Sequence, residues 1–121
     1  MAEETGEIPA VVARLLDDGS ADVREAAAHI RAASPRWVVA VGRGSSDHAA
    51  TYARYLAETR LGLPAGLAAP AVTTLYGARI DWRDGLVIAV SQSGASPDVA
   101  ETVAAARAGG AVTVAITNEA G

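Results

Sequence analysis

The sequence predicts an α/β fold built on a parallel sheet, and three observations carry that expectation. Trp37-Val38-Val39-Ala40-Val41 and Leu86-Val87-Ile88-Ala89-Val90 are apolar runs without polar alternation, the pattern of strands covered on both faces. Each is followed by a loop of small residues and then by a helical pattern, Gly42-Arg43-Gly44-Ser45-Ser46-Asp47-His48 in one case and Ser91-Gln92-Ser93-Gly94-Ala95-Ser96-Pro97 in the other. A further run, Val112 to Thr117, follows the second helix directly, so strand and helix alternate as a parallel, right-handed sheet requires.

The elements follow in order. Pro9 to Leu16 carries Val12, Leu15 and Leu16 at helical spacing and stops at Asp17-Asp18-Gly19, with Pro at the start and Gly past the end. Ser20 reads as an N-cap and Asp22 as a first-turn acid. Val23, Ala26, Ala27 and Ile30 then form one stripe to about Ala33, and Ser34-Pro35 ends the helix. This gives a helical segment over residues 1–35 and a sheet-bearing segment over 36–121. After the first strand a helix runs from about Ser46 to Arg60 and stops at Leu61-Gly62-Leu63-Pro64. Gly66 to Val72 is a weaker strand, an edge strand or one that ends early, because Pro70 has no N–H for a central ladder. Thr73 to Ile80 fits one helical turn, and Asp81-Trp82-Arg83-Asp84-Gly85 a turn. Pro97 to Ala108 is a helix closed by Gly109-Gly110. Four strands result, with no helix after the last, so the sheet reads as truncated after its fourth strand.

Composition narrows the function. At 121 residues, half of them apolar, the chain builds one core, and with three Tyr, two Trp and no Phe that core is aliphatic. The net charge of −4 argues against a nucleic-acid partner. The absence of Cys excludes thiolate zinc sites, disulfides and thiol catalysis. No apolar stretch approaches ~20 residues, and the acidic start lacks a signal core, so the expectation is a cytoplasmic protein away from membranes. No carboxylate pair suits a metal, no Ser-His-Asp set assembles, and no cofactor is expected.

The two loops carry the chemistry. Ser91, Ser93 and Ser96 place three hydroxyls within six residues, Gln92 adds an amide, and Gly94 lets the backbone approach a ligand. Ser96 with Pro97 suits a helix start, whose N–H groups face an anion. Capping alone needs only Ser96-Pro97, so the additional Ser-Gln-Ser-Gly favours phosphate binding through neutral donors. The first loop fails the dinucleotide fingerprint, since Asp47 stands at the third glycine, and lacks the Gly-Lys-Ser/Thr of a P-loop. What remains is a tight turn at Gly44 with Ser45 and Ser46 at a helix start, able to reach sugar hydroxyls or phosphate oxygens; capping by Ser46 alone is an equal reading. His48 reads as a polar helix residue or as an acid/base group. Arg43 either offsets phosphate charge or pairs with Asp47. His29 is expected at the surface, Trp37 at the lower end of the sheet, and Tyr52 and Tyr55 packed on the helix.

Gly44-Ser45-Ser46-Asp47-His48-Ala49 resembles Gly-Thr-Ser-x-His-Ala, the first loop of the SIS (sugar isomerase) domain family, as found in the isomerase part of glutamine–fructose-6-phosphate aminotransferases. Ser91-Gln92-Ser93-Gly94 is identical to that family's second loop, and Glu7-Ile8-Pro9 resembles the Glu-Gln-Pro that opens the isomerase part. The resemblance implies a three-layer α/β/α sandwich. It also implies phosphate binding by Ser91, Gln92, Ser93 and Ser96, and sugar contacts from Gly44, Ser45 and Ser46. The sequence departs at Ala95-Ser96, where the synthases carry Glu-Thr, and it has neither the glutaminase Cys nor any Lys for a Schiff base. The resemblance implies that the family's catalytic Glu, ring-opening His and Lys lie in a second half. No base is assigned here, as Glu58 and Glu101 lie far along their helices. The expected partner is a phosphorylated sugar, bound by an enzyme of this kind or by a regulatory module that senses it; an inactive fragment of a larger SIS protein is the third reading. A homodimer or a second SIS domain is expected to cover the incomplete sheet.

Overall fold

The computed structural model describes residues 2–17 and 19–118. They fall into two compact units that meet between residues 32 and 33 in the chain. The first holds α1 (Ala2–Asp17) and most of α2 (Ser20–Ala33). α1 begins well before Pro9, which lies inside it; Ala and Glu favour helix strongly enough to extend it ahead of the proline. Asp18 lies outside the described residues. Gly19, rather than Ser20, occupies the cap position of α2, its carbonyl accepting the Val23 N–H at 3.1 Å. Ala26, Ala27 and Ile30 are half-buried, whereas Val23 is exposed.

The second unit is a four-stranded, wholly parallel sheet in the order β2-β1-β3-β4. Its strands are β1 (Trp37–Gly42), β2 (Ala65–Leu67), β3 (Gly85–Ser91) and β4 (Val112–Thr117). The weak strand is therefore an edge strand of three residues. Pro70, which cannot extend a ladder, instead opens the short helix α4 (Pro70–Thr74), a position where its missing N–H costs nothing. The helical turn thus comes three residues before Thr73 and leaves Leu75 to Ile80 outside it.

Between β1 and β2 runs α3 (Ser46–Leu56), whose end widens into a π-helical turn over Ala57–Leu61 before Gly62 closes it at φ +66°. Between β3 and β4 runs α5 (Pro97–Ala108). The two crossovers leave in opposite directions, so right-handed connections place α3 on one face and α5 on the other. α3 packs on β1, β2 and β3, while α4 packs on α5 and α5 on β3 and β4. The result is the expected α/β/α arrangement.

On the α5 face Val41, Val87, Ala89, Val99 and Ala106 form a dry core with Trp82, and Trp37 packs against it. Fully buried alanines, Ala50 on α3 and Ala106 on α5, let the helices lie close to the sheet, as the aliphatic composition suggested. Trp37 sits at the amino end of the sheet, its ring centroid 5.9 Å from that of Trp82. Tyr52 and Tyr55 do not pack; both are exposed on α3, along with His29 on α2.

The turn before β3 is tied by Asp81. Its carboxylate accepts the Arg83 Nε–H at 2.8 Å, the Arg83 Nη2–H at 2.6 Å and the Arg83 backbone N–H at 3.1 Å. The Arg83 side chain and then its N–H pull the carboxyl down to about 2. A depressed folded pKa stabilises above the unfolded value of roughly 3.9 and loses that contribution as pH falls through the folded one. An NMR pH titration of the Asp81 carboxyl is therefore expected to show a midpoint of about 2; a midpoint close to the ordinary value of roughly 3.9 would contradict the clamp.

Candidate functional site

The strand order decides where the site lies. From β1 the chain turns to β2 on one side, and from β3 to β4 on the other. The β1/β3 junction is thus a topological switch point, where ligands of open parallel sheets bind beyond the strands' carboxyl ends. The register sets Gly42 of β1 opposite Val90 of β3. The two Ser-rich loops therefore leave the sheet side by side and diverge to opposite faces.

The first loop is a compact turn. The Ser46, Asp47 and His48 N–H groups donate to the Arg43, Gly44 and Ser45 carbonyls at 3.1–3.2 Å. Gly44 adopts φ +60°, a conformation costly for any residue with a Cβ. Ser45, not Ser46, stands at the cap position of α3, and it makes no side-chain cap bond. Capping therefore does not account for these serines: among the described residues neither hydroxyl has a partner.

The second loop is held by its own serines. Ser91 Oγ accepts the Gly94 N–H and Ser93 Oγ the Ala95 N–H, each at 3.1 Å, with Gly94 at φ +68°. A hydroxyl that accepts one N–H keeps its proton for another acceptor. The Gln92 carbonyl accepts the Asn118 N–H at 3.2 Å, tying the loop to the end of β4. Ser96 behaves differently from the expected cap. It holds the extended cap conformation without a side-chain cap bond, and its Oγ–H donates to Asp98 Oδ1 at 3.0 Å. A cap would need Ser96 Oγ to accept an N–H of the first turn; its rotamer instead aims the hydroxyl proton at the carboxylate, a charge-assisted bond.

Arg43 pairs not with Asp47 but with Asp98 across the switch point, Nη1 to Oδ2 at 3.2 Å. Asp98 is thus gripped from both loops, by Ser96 through one oxygen and Arg43 through the other. The Ser96 bond first, then its own N–H and the Arg43 charge, hold its carboxyl below the usual range.

The loops enclose a cavity of about 270 Å³ lined by Gly44, Ser45, Ser46, Ser91, Gln92, Ser93 and Ser96, with Arg43, Val90 and Val99 completing the wall. The size approaches the lower end of small-molecule sites, roughly 300–1,000 Å³. Every residue proposed from sequence for phosphate or sugar lines this one space except His48, which is exposed on α3 and stands outside the lining. A wider groove of about 810 Å³ opens beside it between α5 and β4, where alanines and valines share the wall with Ser91, Ser93 and Ser96 of the second loop. Sequence reasoning did not anticipate Asp98; its only local signal was the acid two residues after Ser96. Among the described residues no group of three or more His, Asp or Glu side chains could hold a metal ion, and no helix is long and apolar enough to cross a membrane.

Residues 33–121 match the family described as SIS domain. The chain belongs to the SIS domain family. The chain is similar to a crystal structure from Silicibacter pomeroyi DSS-3 named "putative phosphosugar isomerase". The two are 48% identical with a TM-score of 0.90, over 93% of this chain and 35% of that one. It is 38% identical over 81 residues to glutamine–fructose-6-phosphate aminotransferase (isomerizing) of Halobacterium salinarum, covering 67% of this chain and 13% of the relative. The fold is shared with the C-terminal domain of glucosamine–fructose-6-phosphate aminotransferase from Francisella tularensis, at 21% identity and a TM-score of 0.61, over 71% of this chain and 24% of that one. The chain thus spans about a third of the isomerase and a smaller part of the aminotransferase. Its architecture is that of a phosphosugar-isomerase-like SIS domain.

Proposed function

We propose that this chain binds a phosphorylated sugar in the β1/β3 cavity, as one SIS half of a larger enzyme of the fructose-6-phosphate aminotransferase kind. Ser91, Gln92, Ser93 and Ser96 hold the phosphate, and Gly44, Ser45 and Ser46 contact the sugar. The observation that carries this reading is the convergence of polar and glycine residues from two loops, far apart in sequence, on one cavity at the switch point. The hydroxyl protons of Ser91 and Ser93 point the same way: each oxygen accepts from the loop and retains a donor, and a phosphate needs donors. Fructose 6-phosphate is the ligand favoured by the name of the Halobacterium relative. Among the described residues no Asp or Glu lines the cavity, so the reading assigns binding to this chain and not the proton shuttle of an isomerisation.

Calorimetric titration tests it. Fructose 6-phosphate is expected to bind and unphosphorylated fructose not to. The Ser91→Ala/Ser93→Ala double variant is expected to weaken binding at least about tenfold, because it removes two charge-assisted hydrogen bonds and loosens the loop they organise. No binding by the folded chain, or equal binding of both sugars, overturns the reading.

A further inference from the structure

We propose that Asp98 is an internal stand-in for the ligand's anion. It keeps two phosphate donors, Arg43 and the Ser96 hydroxyl, assembled before ligand arrives and competes with phosphate for them. This rests on the cavity being a phosphosugar site and adds the residue that sets its affinity for the charged group.

The geometry carries the inference. Arg43 and Ser96 come from different loops, both line the cavity, and both turn a donor onto one carboxylate: Arg43 Nη1 to Oδ2 at 3.2 Å, Ser96 Oγ to Oδ1 at 3.0 Å. Asp98 is not itself part of the wall. Two donors converging on two oxygens of one anion is the arrangement phosphate recognition uses. Arg43 is the single cation among the described lining residues, and a phosphate monoester carries roughly −1.5 to −2 at pH 7. While Arg43 is neutralised by Asp98, the wall offers the phosphate no net charge. The pair is cheap to exchange, because the Arg43 side chain is 59% exposed and such solvated pairs contribute little. A dianion in the cavity is the stronger competitor for the guanidinium, and the Ser96 proton follows it.

The test is a set of titrations with fructose 6-phosphate and, separately, inorganic phosphate. The proteins are the unaltered chain, Asp98→Asn, Arg43→Gln and Arg43→Lys, each checked for folding by circular dichroism. Asp98→Asn keeps a polar group at the helix start but removes the competing charge, and is expected to tighten both ligands about tenfold. Arg43→Gln is expected to weaken both by a similar factor, and Arg43→Lys to recover part of the loss. A residue that only braced the two loops would act oppositely in the first case, since removing the pair would weaken binding. Phosphate-dependent binding by the unaltered chain, with Asp98→Asn no tighter or Arg43→Gln no weaker, overturns this inference and leaves the site standing. Absence of binding in both the unaltered chain and Asp98→Asn overturns both.

Discussion

Replacing Trp82 by alanine is expected to cost about 3–5 kcal/mol of stability, the range for emptying a buried aromatic site. Trp82 is only 6% exposed and belongs to the core beneath α5. Its surroundings are shaped for it. A Cβ on Gly109 would lie 2.8 Å from the Trp82 ring, and one on Gly85 would collide with the Trp37 ring, which packs tilted against Trp82. Neither glycine can refill the space, and the neighbouring alanines are too small to collapse into it. With domain stabilities of about 5–15 kcal/mol, the loss would lower the melting temperature by roughly 15 °C or more. Urea unfolding followed by circular dichroism gives the number. A cost under about 1 kcal/mol, well below the range for a buried aromatic, would mean that the tryptophan pair is not part of the core. The substitution should nonetheless spare the ligand site. The tryptophans sit at the amino ends of the strands and the cavity at the carboxyl ends, roughly 20 Å apart for strands of this length. The affinity of the remaining folded protein for fructose 6-phosphate is expected to stay within about twofold, as for sites that distant.

That separation explains what could be read from the chain and what could not. β1, β3 and α5 are legible because each has a local cause: continuous apolar runs for buried parallel strands, and Pro97 and Gly109 bracketing a helix; β4, Val112–Thr117, is read from its β-branched residues, since none of it is buried. β2 reads too long in the sequence because an apolar run crossing a proline suits a failing strand and a starting helix equally. The helix begins at Pro70, where a proline's missing N–H is no loss at the first helical position. The π-helical turn over Ala57–Leu61 has no local signature; the chain there reads as ordinary helix until Gly62. The site divides in the same way. Both loops announce themselves through serines and glycines at helix starts. Their adjacency depends on strand order, which alternation of strand and helix leaves open, and Arg43 finds Asp98 rather than nearby Asp47 because of it. Ser96 does stand at the cap position its sequence context predicts, but the direction of its hydroxyl, donated to Asp98 instead of accepting an N–H, depends on the rotamer and is not written in the sequence.

Gly42→Ala is expected to abolish phosphosugar binding and to cost about 2–3 kcal/mol of stability, in the range of overpacking substitutions. Gly42 is the last residue of β1, and a Cβ there would lie 2.6 Å from the Ser46 carbonyl oxygen and 2.7 Å from its carbon. These are backbone atoms in the first turn of α3, so no side-chain rotation relieves the contact. Either the end of β1 or the start of α3 must shift. The first option disturbs the pairing of Gly42 with Val90, the last rung of β1 before the loops diverge. The second displaces Ser45 and Ser46 from the cavity wall and turns Arg43, whose carbonyl accepts the Ser46 N–H, away from Asp98. Both outcomes strike the binding site first, since the shifted atoms belong to the first loop and its turn, while most of the core lies on other elements. Binding is therefore expected to vanish in this single-site variant while the protein still folds cooperatively. Titration with fructose 6-phosphate beside a urea unfolding curve separates the two effects. Retained affinity in Gly42→Ala would show that the cavity does not need this turn, and would remove the first loop from the proposed site.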